Sequence, residues 1–249
     1  MSSDLEIKLF KEDIKFHDSL IITTFGGVSG IVGDYLIEHL KLEYIGAIFT
    51  ELAFCGCEIR NGQPLAPIQI YSGEYKDIAN TDFDQIVLIT TKFNNSEDLD
   101  YPLSIKILEW AKEINASAVL TMTPLYRKEM EIGSPVNVYH VLSDSTLEKY
   151  SSSLRSQPFL IGSLSGFPGS VLYIGKSMNV PVITLISEVH PDFRDSRAAA
   201  AILETINQFV PEIEMDHEPL LREAEEIESQ IIAHLESMQG GGGGDSSFA

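Results

Sequence analysis

Glu188, His190 and Asp192 put a carboxylate, an imidazole and a second carboxylate within one short stretch. They follow the apolar run 181–187, which reads as a strand, and the C-terminal ends of parallel strands are where α/β folds place chemistry. Such a trio can bind a metal or relay protons. The same stretch also reads as a polar loop in which Asp192 or Asp195 serves the next helix N-terminus.

A second candidate is Gly27-x-x-Gly30-x-x-Gly33, set between a strand and a helix where a dinucleotide fingerprint would lie. Its spacing is not G-x-G-x-x-G, although Glu51, near the next strand end, supplies an acidic residue. The favoured reading is a tight turn with close helix–sheet packing. Gly175-Lys176-Ser177 imitates the end of a phosphate loop. Five residues separate it from Gly169 where four are needed, and it falls at a helix end, where the backbone points the wrong way. Cys55 and Cys57, the two cysteines, are a weak metal or redox signal and read as reduced thiols. His17, His39, His140, His217 and His234 show no ligand spacing, and Ser163 and Ser165 have no identifiable base. Neither G-x-S-x-G nor H-E-x-x-H occurs. No cofactor or metal is expected.

These residues must be held by elements. The run 20–25 reads as a buried strand closed by Gly26 and Gly27, and 30–41 as a helix with Ile31, Tyr35, Leu36 and Leu40 on one face. Residues 46–54 read as a strand. Asn61-Gly62 predicts a hairpin with 67–71 as its return strand. Further strands are predicted at 85–91, 118–122, 136–142 and 181–187. Helices are predicted at 102–114, with Pro102 near its start, from the glycine-rich turn Gly162, Gly166 and Gly169 to Met178, and at 197–209, capped by Asp195 and Ser196. Alternating strands and helices predict an α/β fold with a mixed, largely parallel sheet.

After residue 211 the character changes. Residues 212–249 hold ten acidic side chains and one basic, a net −9 of the whole chain's −20. Residues 219–238 read as a helix in which Leu220, Ala224, Ile227, Ile231 and Leu235 form a narrow heptad-like stripe, either packing subunits together or docking on its own body. Then come Gly240 to Gly244 and the segment Asp245-Ser246-Ser247-Phe248-Ala249. The division is therefore a body at 1–211, an acidic helical extension at 212–239 and a flexible tail at 240–249. An aromatic beside a free carboxylate on a glycine linker suits docking of a chain end, though an inconsequential end or an appended linker has the same composition.

The acidic balance over 249 residues argues against nucleic acid and against an anionic membrane surface. No apolar run approaches the roughly 20 residues of a membrane span, and the charged opening residues do not read as a signal peptide, so a cytoplasmic protein is expected.

The stretch 24–36, Thr-Phe-Gly-Gly-Val-Ser-Gly-Ile-Val-Gly-Asp-Tyr-Leu, resembles the opening of the proteasome assembly chaperone family, its second-subunit type and archaeal homologues. The turn 162–169, Gly-Ser-Leu-Ser-Gly-Phe-Pro-Gly, the hairpin from Asn61-Gly62 to Tyr71, and the ending 182–200 resemble the family in the same order. The resemblance covers roughly 15–210. It implies a three-layer fold similar to the purine nucleoside phosphorylases, without their active site, and no enzymatic activity. It also implies docking on the α-ring of the core proteasome by a C-terminal pattern of a hydrophobic residue, tyrosine or phenylalanine, then any residue. Phe248 matches the aromatic and Ala249 the final position, while Ser247 departs from the hydrophobic one.

The expected protein is thus a homo-oligomeric assembly chaperone or ATP-independent activator, with unfolded clients as further candidate partners. Two alternatives stay open. One is an ATP-grasp-type ligase-like or nucleotide-binding enzyme using Glu188, His190 and Asp192. The other is a small-ligand sensor with a pocket near Gly26 to Gly33.

Overall fold

The computed structural model describes residues 5–12, 14–52, 56–74, 83–93, 96–148, 156–191, 195–210, 213 and 215–240. The chain opens with strand β1 (Glu6–Leu9), the central strand β2 (Ser19–Phe25) and helix α1 (Gly27–His39). Strand β3 (Glu43–Phe49), the short pair β4 (Glu58–Arg60) and β5 (Gln63–Leu65), β6 (Ile68–Glu74) and β7 (Gln85–Thr91) follow. The second half runs α2 (Glu97–Glu113), β8 (Ala118–Tyr126), β9 (Val138–Leu142), β10 (Gln157–Pro158), α3 (Gly166–Met178), β11 (Val182–Val189), α4 (Ser196–Phe209) and α5 (Glu218–Gly240).

Among the described residues, nine strands form one sheet in the order β1-β3-β6-β7-β2-β8-β11-β9-β10. Its centre is parallel: β7, β2, β8 and β11 run the same way. The flanks are antiparallel, β6 on β7, β3 on β6 and β1 on β3 at one side, β9 on β11 at the other. This is the expected mixed α/β sheet, with its parallel part gathered in the middle.

The central strands are apolar throughout because both sheet faces are covered. In β2, Leu20 and Ile22 face a layer holding α1 and α4, while Ile21 faces α2 and α3. Each alternate residue thus serves a different core. The arrangement is three-layered, helices on both faces of one sheet.

Several boundaries differ from the sequence expectations. The Asn61-Gly62 hairpin forms, with both residues at positive φ (50° and 75°), as a two-residue turn of the mirror-image type requires. Its return strand is β5, whereas 67–71 belongs to β6, which spans from β3 to β7 in the main sheet. β3 begins earlier than expected and stops at Phe49. α2 begins at Glu97, before Pro102, with Glu97, Asp98 and Asp100 in its first turn, where carboxylates complement the helix dipole. β1 was not anticipated.

Packing continues past residue 211. Ile213, Met215 and Leu220 belong to the core under α1 and α4. Asn207 holds Met215 through both its side-chain oxygen, which accepts from the Met215 N–H at 3.0 Å, and its amide, which donates to the Met215 carbonyl at 2.8 Å. The Tyr35 hydroxyl donates to the Asp216 carbonyl. α5 then lies on α4, with Leu220 and Ala224 buried and Ile227 and Ile231 half-buried. Arg197 of α4 meets Glu228 of α5 through two parallel bonds of 2.9 and 2.8 Å. The first half of the stripe therefore docks on its own body. No helix among the described residues is long and apolar enough to cross a membrane.

Candidate functional site

The parallel strands β2, β7, β8 and β11 all end at one edge of the sheet. β2 lies between β7 and β8, so the chain leaves the sheet in opposite directions on its two sides, the place where open α/β sheets form a crevice. A cleft of about 740 Å³ opens there. Its walls come from the start of α1 (Gly26 to Ile31), the strand ends Thr23, Thr121 and Val189, the start of α3 (Gly166 to Pro168), and Asp34, Lys92, Asp100, Tyr126, His190 and Asp195.

The local sequence explains why helices start here. Gly26 (φ 69°) and Gly27 (φ 52°) take positive φ, which glycine adopts without strain, and turn β2 into α1 at once. The first bond of α1 runs from the Gly30 N–H to the Gly26 carbonyl, leaving the preceding N–H groups directed out of the helix start. A side chain at Gly33 would overlap Thr24 Oγ1, so this glycine lets α1 lie close on the sheet. Gly30 has open space around its Cα. The second turn is built alike: Gly166 (φ 69°) opens α3, while an added Cβ would meet the Leu164 carbonyl at Gly169 and the Phe159 ring at Gly162. Helix α4 starts from Asp195, whose Oδ1 accepts from the Ala198 N–H at 2.9 Å.

The charges in the cleft are mostly paired. Asp34 of α1 is bridged to Lys92 and, at 3.2 Å, to Arg60 of the β4–β5 hairpin. Arg60 also holds Glu58 at 3.0 Å, and Glu58 accepts from Gln69 at 2.7 Å. The Tyr71 hydroxyl donates to Gln69, and burial pushes it up to about 12 despite the nearby Arg60. This network fixes the hairpin against α1 and neutralises Asp34. Burial raises the Asp195 carboxyl above its ordinary range, against the lowering effect of the Ala198 and His190 N–H donors.

The structure separates the sequence candidates. His190 lines the cleft, whereas Glu188 is tied elsewhere. It accepts from Arg127 at 2.8 Å, Asn137 at 2.7 Å and Tyr139 at 3.3 Å, clamping the segment between β8 and β9. Asp192 and Cys55 lie outside the described residues, and Cys57 is a free, exposed thiol. Among the described residues no cluster of three His, Cys, Asp or Glu could hold a metal. Gly175-Lys176-Ser177 ends α3 as expected, with Gly175 packed against Val182. Glu51 follows β3, an antiparallel strand remote from β2 in the sheet order, and so does not sit where a ribose-binding acid would. His140 is buried, with Nδ1 2.9 Å from Ser156 Oγ, and burial lowers its basicity. Leu235 lies in α5, and Ser247, Phe248 and Ala249 lie outside the described residues.

Sequence reasoning missed the Asp34–Lys92–Arg60 network, Asp100 and Tyr126. Its signals were present but faint: Arg60 directly precedes the hairpin turn, and Lys92 directly follows a buried strand. It also gave no sign that Leu160 (84% exposed) and Ile161 (92% exposed) stand out in solvent beside the short edge strand β10.

A family model described as the PAC2 family matches residues 23–235. No curated protein matches the chain. Among solved structures, PbaA of Pyrococcus furiosus, an archaeal homolog of proteasome-assembly chaperone, is 22% identical with a TM-score of 0.79, covering 94% of each chain. PbaB of the same organism, an archaeal proteasome activator, is 20% identical with a TM-score of 0.80, covering 95% of this chain and 100% of its own. A proteasome-assembly chaperone homologue of Mycobacterium tuberculosis is 15% identical with a TM-score of 0.65, covering 86% of this chain and 94% of its own.

Proposed function

The chain belongs to the PAC2 family, and from that premise we propose that it is a non-enzymatic partner of the core proteasome, docking on the α-ring through Ser247, Phe248 and Ala249. The observation that carries the proposal is the near end-to-end likeness to both PbaA and PbaB, one described as an assembly-chaperone homolog and the other as an activator. A shared fold alone does not transfer a role. The tail composition supplies the independent support.

The folded body and the glycine-linked segment beyond it divide the work. α5 is anchored to α4 through Leu220, Ala224 and the Arg197–Glu228 pair. Beyond it the sequence holds a glycine run and then Phe248. A Gly-rich chain of ten residues has a root-mean-square span of about 18 Å. That reach lets Phe248 enter a pocket between α subunits while the body stays above the ring. One short tail binds weakly, so a homo-oligomer presenting several tails gains by effective concentration. The protein acts as an ATP-independent activator or assembly chaperone in the cytoplasm, of archaeal type, with unfolded clients as further partners.

The test is co-sedimentation with an archaeal core proteasome. The intact protein is expected to bind, and a variant lacking residues 247–249 to lose binding while keeping its oligomeric state. Unchanged binding by the deletion variant would refute the tail mechanism. Peptide hydrolysis without ATP separates the two roles: stimulation marks an activator, and binding without stimulation an assembly chaperone.

A further inference from the structure

Among the described residues β1 is the last strand at one edge of the sheet. Among the described residues nothing pairs with β1 on the side away from β3. The Phe10 N–H donates to the Ile45 carbonyl at 2.8 Å. In an antiparallel ladder hydrogen-bonded and non-bonded pairs alternate. Lys8 and Glu6 therefore bond inward to β3, and the backbone N–H and C=O groups of Ile7 and Leu9 point outward. Such an edge is a template for another strand. Large apolar side chains flank it: Phe10 is 48% exposed and Phe49, opposite Glu6, is 43% exposed.

We infer that β1 is a seam between two copies of this chain, pairing antiparallel about a two-fold axis with Ile7 opposite Ile7. The strand's own pattern selects this register. Outward-pointing residues must face outward-pointing residues, so Ile7 and Leu9 can meet only odd-numbered positions of the second copy. With Ile7 opposite Ile7, Leu5 faces Leu9 and Glu6 faces Lys8, twice by symmetry. A shift of one bonding repeat either way puts Glu6 opposite Glu6 or Lys8 opposite Lys8, and like charges directly opposite destabilise a sheet. Glu6 and Lys8 are both exposed, and neither has an ion-pair partner among the described residues. The seam gives each one.

The apolar face agrees. Leu5, Ile7 and Leu9 are half-buried against the core that includes Trp110 of α2. Directly opposite residues point to the same face of a sheet, so the seam joins the two apolar rows into one continuous strip. The interface is isologous, closes on itself and leaves no free β1 edge. It is independent of tail docking, and its test reads only the association of copies.

The experiment is sedimentation equilibrium on the full chain and three variants. Glu6→Lys alone and Lys8→Glu alone each create like-charge pairs and are expected to weaken association roughly tenfold. The double variant Glu6→Lys/Lys8→Glu restores the pairing and is expected to return to the original constant. A second measurement works even where other surfaces also hold copies together. With Cys55 and Cys57 changed to Ser, Glu6→Cys/Lys8→Cys places thiols in a close non-bonded pair, with a Cα separation of about 4.5 Å that suits a disulfide. Mild oxidation is expected to give a covalent dimer, and neither single cysteine variant should. Association indifferent to both single reversals, or a double-cysteine variant that stays uncrosslinked, would overturn the seam, as would a monomer at all concentrations.

Discussion

At Gly33 the packing leaves no room for a methyl group, because it would overlap Thr24 Oγ1 on β2 and crowd Thr90 Oγ1 on β7. Gly33→Ala is expected to cost about 1–3 kcal/mol, read as a lower melting temperature, since the clash is with side chains rooted in central strands. Asp195 makes a different prediction. Burial raises its carboxyl above the ordinary 3.8, so the folded chain holds this proton more tightly than the unfolded chain. The stability it contributes is fully present below the unfolded value and is lost as pH rises through the folded one. Asn caps a helix as well as Asp. Asp195→Asn should therefore keep α4 capped and lose less stability than the parent as pH rises above about 4; an identical pH profile for the two would contradict this. The glycine turns were legible because positive φ and close approach leave few other residue choices. Glu188 was not, because its three donors arrive from Arg127, Asn137 and Tyr139, distant in sequence.

The elements were legible where local pattern and tertiary demand coincide. β2, β7, β8 and β11 are continuous apolar runs, as strands buried on both faces must be, and the helices between them carry clear apolar faces. Elsewhere the pattern was ambiguous. The hairpin turn was plain at Asn61-Gly62, but two short β-rich segments follow it, and only the three-dimensional sheet assigns β5 to the hairpin and β6 to the main sheet. Pro102 suggested a helix start because proline favours the first turn, whereas the acidic residues before it mark the real start. β1 is four residues of alternating charge and apolarity, too short to stand out from a charged leader. For α5 the stripe suited its own body and a second subunit equally. The anchoring of α5 can be tested through Arg197, which is largely buried and doubly bonded to Glu228. Arg197→Ala leaves that carboxylate without its partner and is expected to cost about 1–3 kcal/mol. Amide exchange should rise in 218–233 and stay unchanged in β2 and β8. Protection equal to the parent's in 218–233 would show that the apolar contacts alone hold the helix.

For the whole molecule, a three-layer body carries an acidic helix on one face and, among the described residues, an edge strand β1 paired on one side only, and in the sequence a glycine run and Phe248 follow the helix. The cleft at the strand ends has its charges largely satisfied within the chain, with Asp34 held by Lys92 and Arg60. The proposed docking therefore rests on the surface and on the segment around Phe248, and not on this cleft. The central claim is that Phe248 is the anchor. The most direct measurement is a binding titration of the intact protein and of Phe248→Ala against an archaeal core proteasome without nucleotide. The account predicts saturable binding by the intact protein and at least tenfold weaker binding by the variant, an aromatic anchor in a pocket being worth on the order of 2 kcal/mol or more. Equal affinity for the two, or no binding by either, would contradict it.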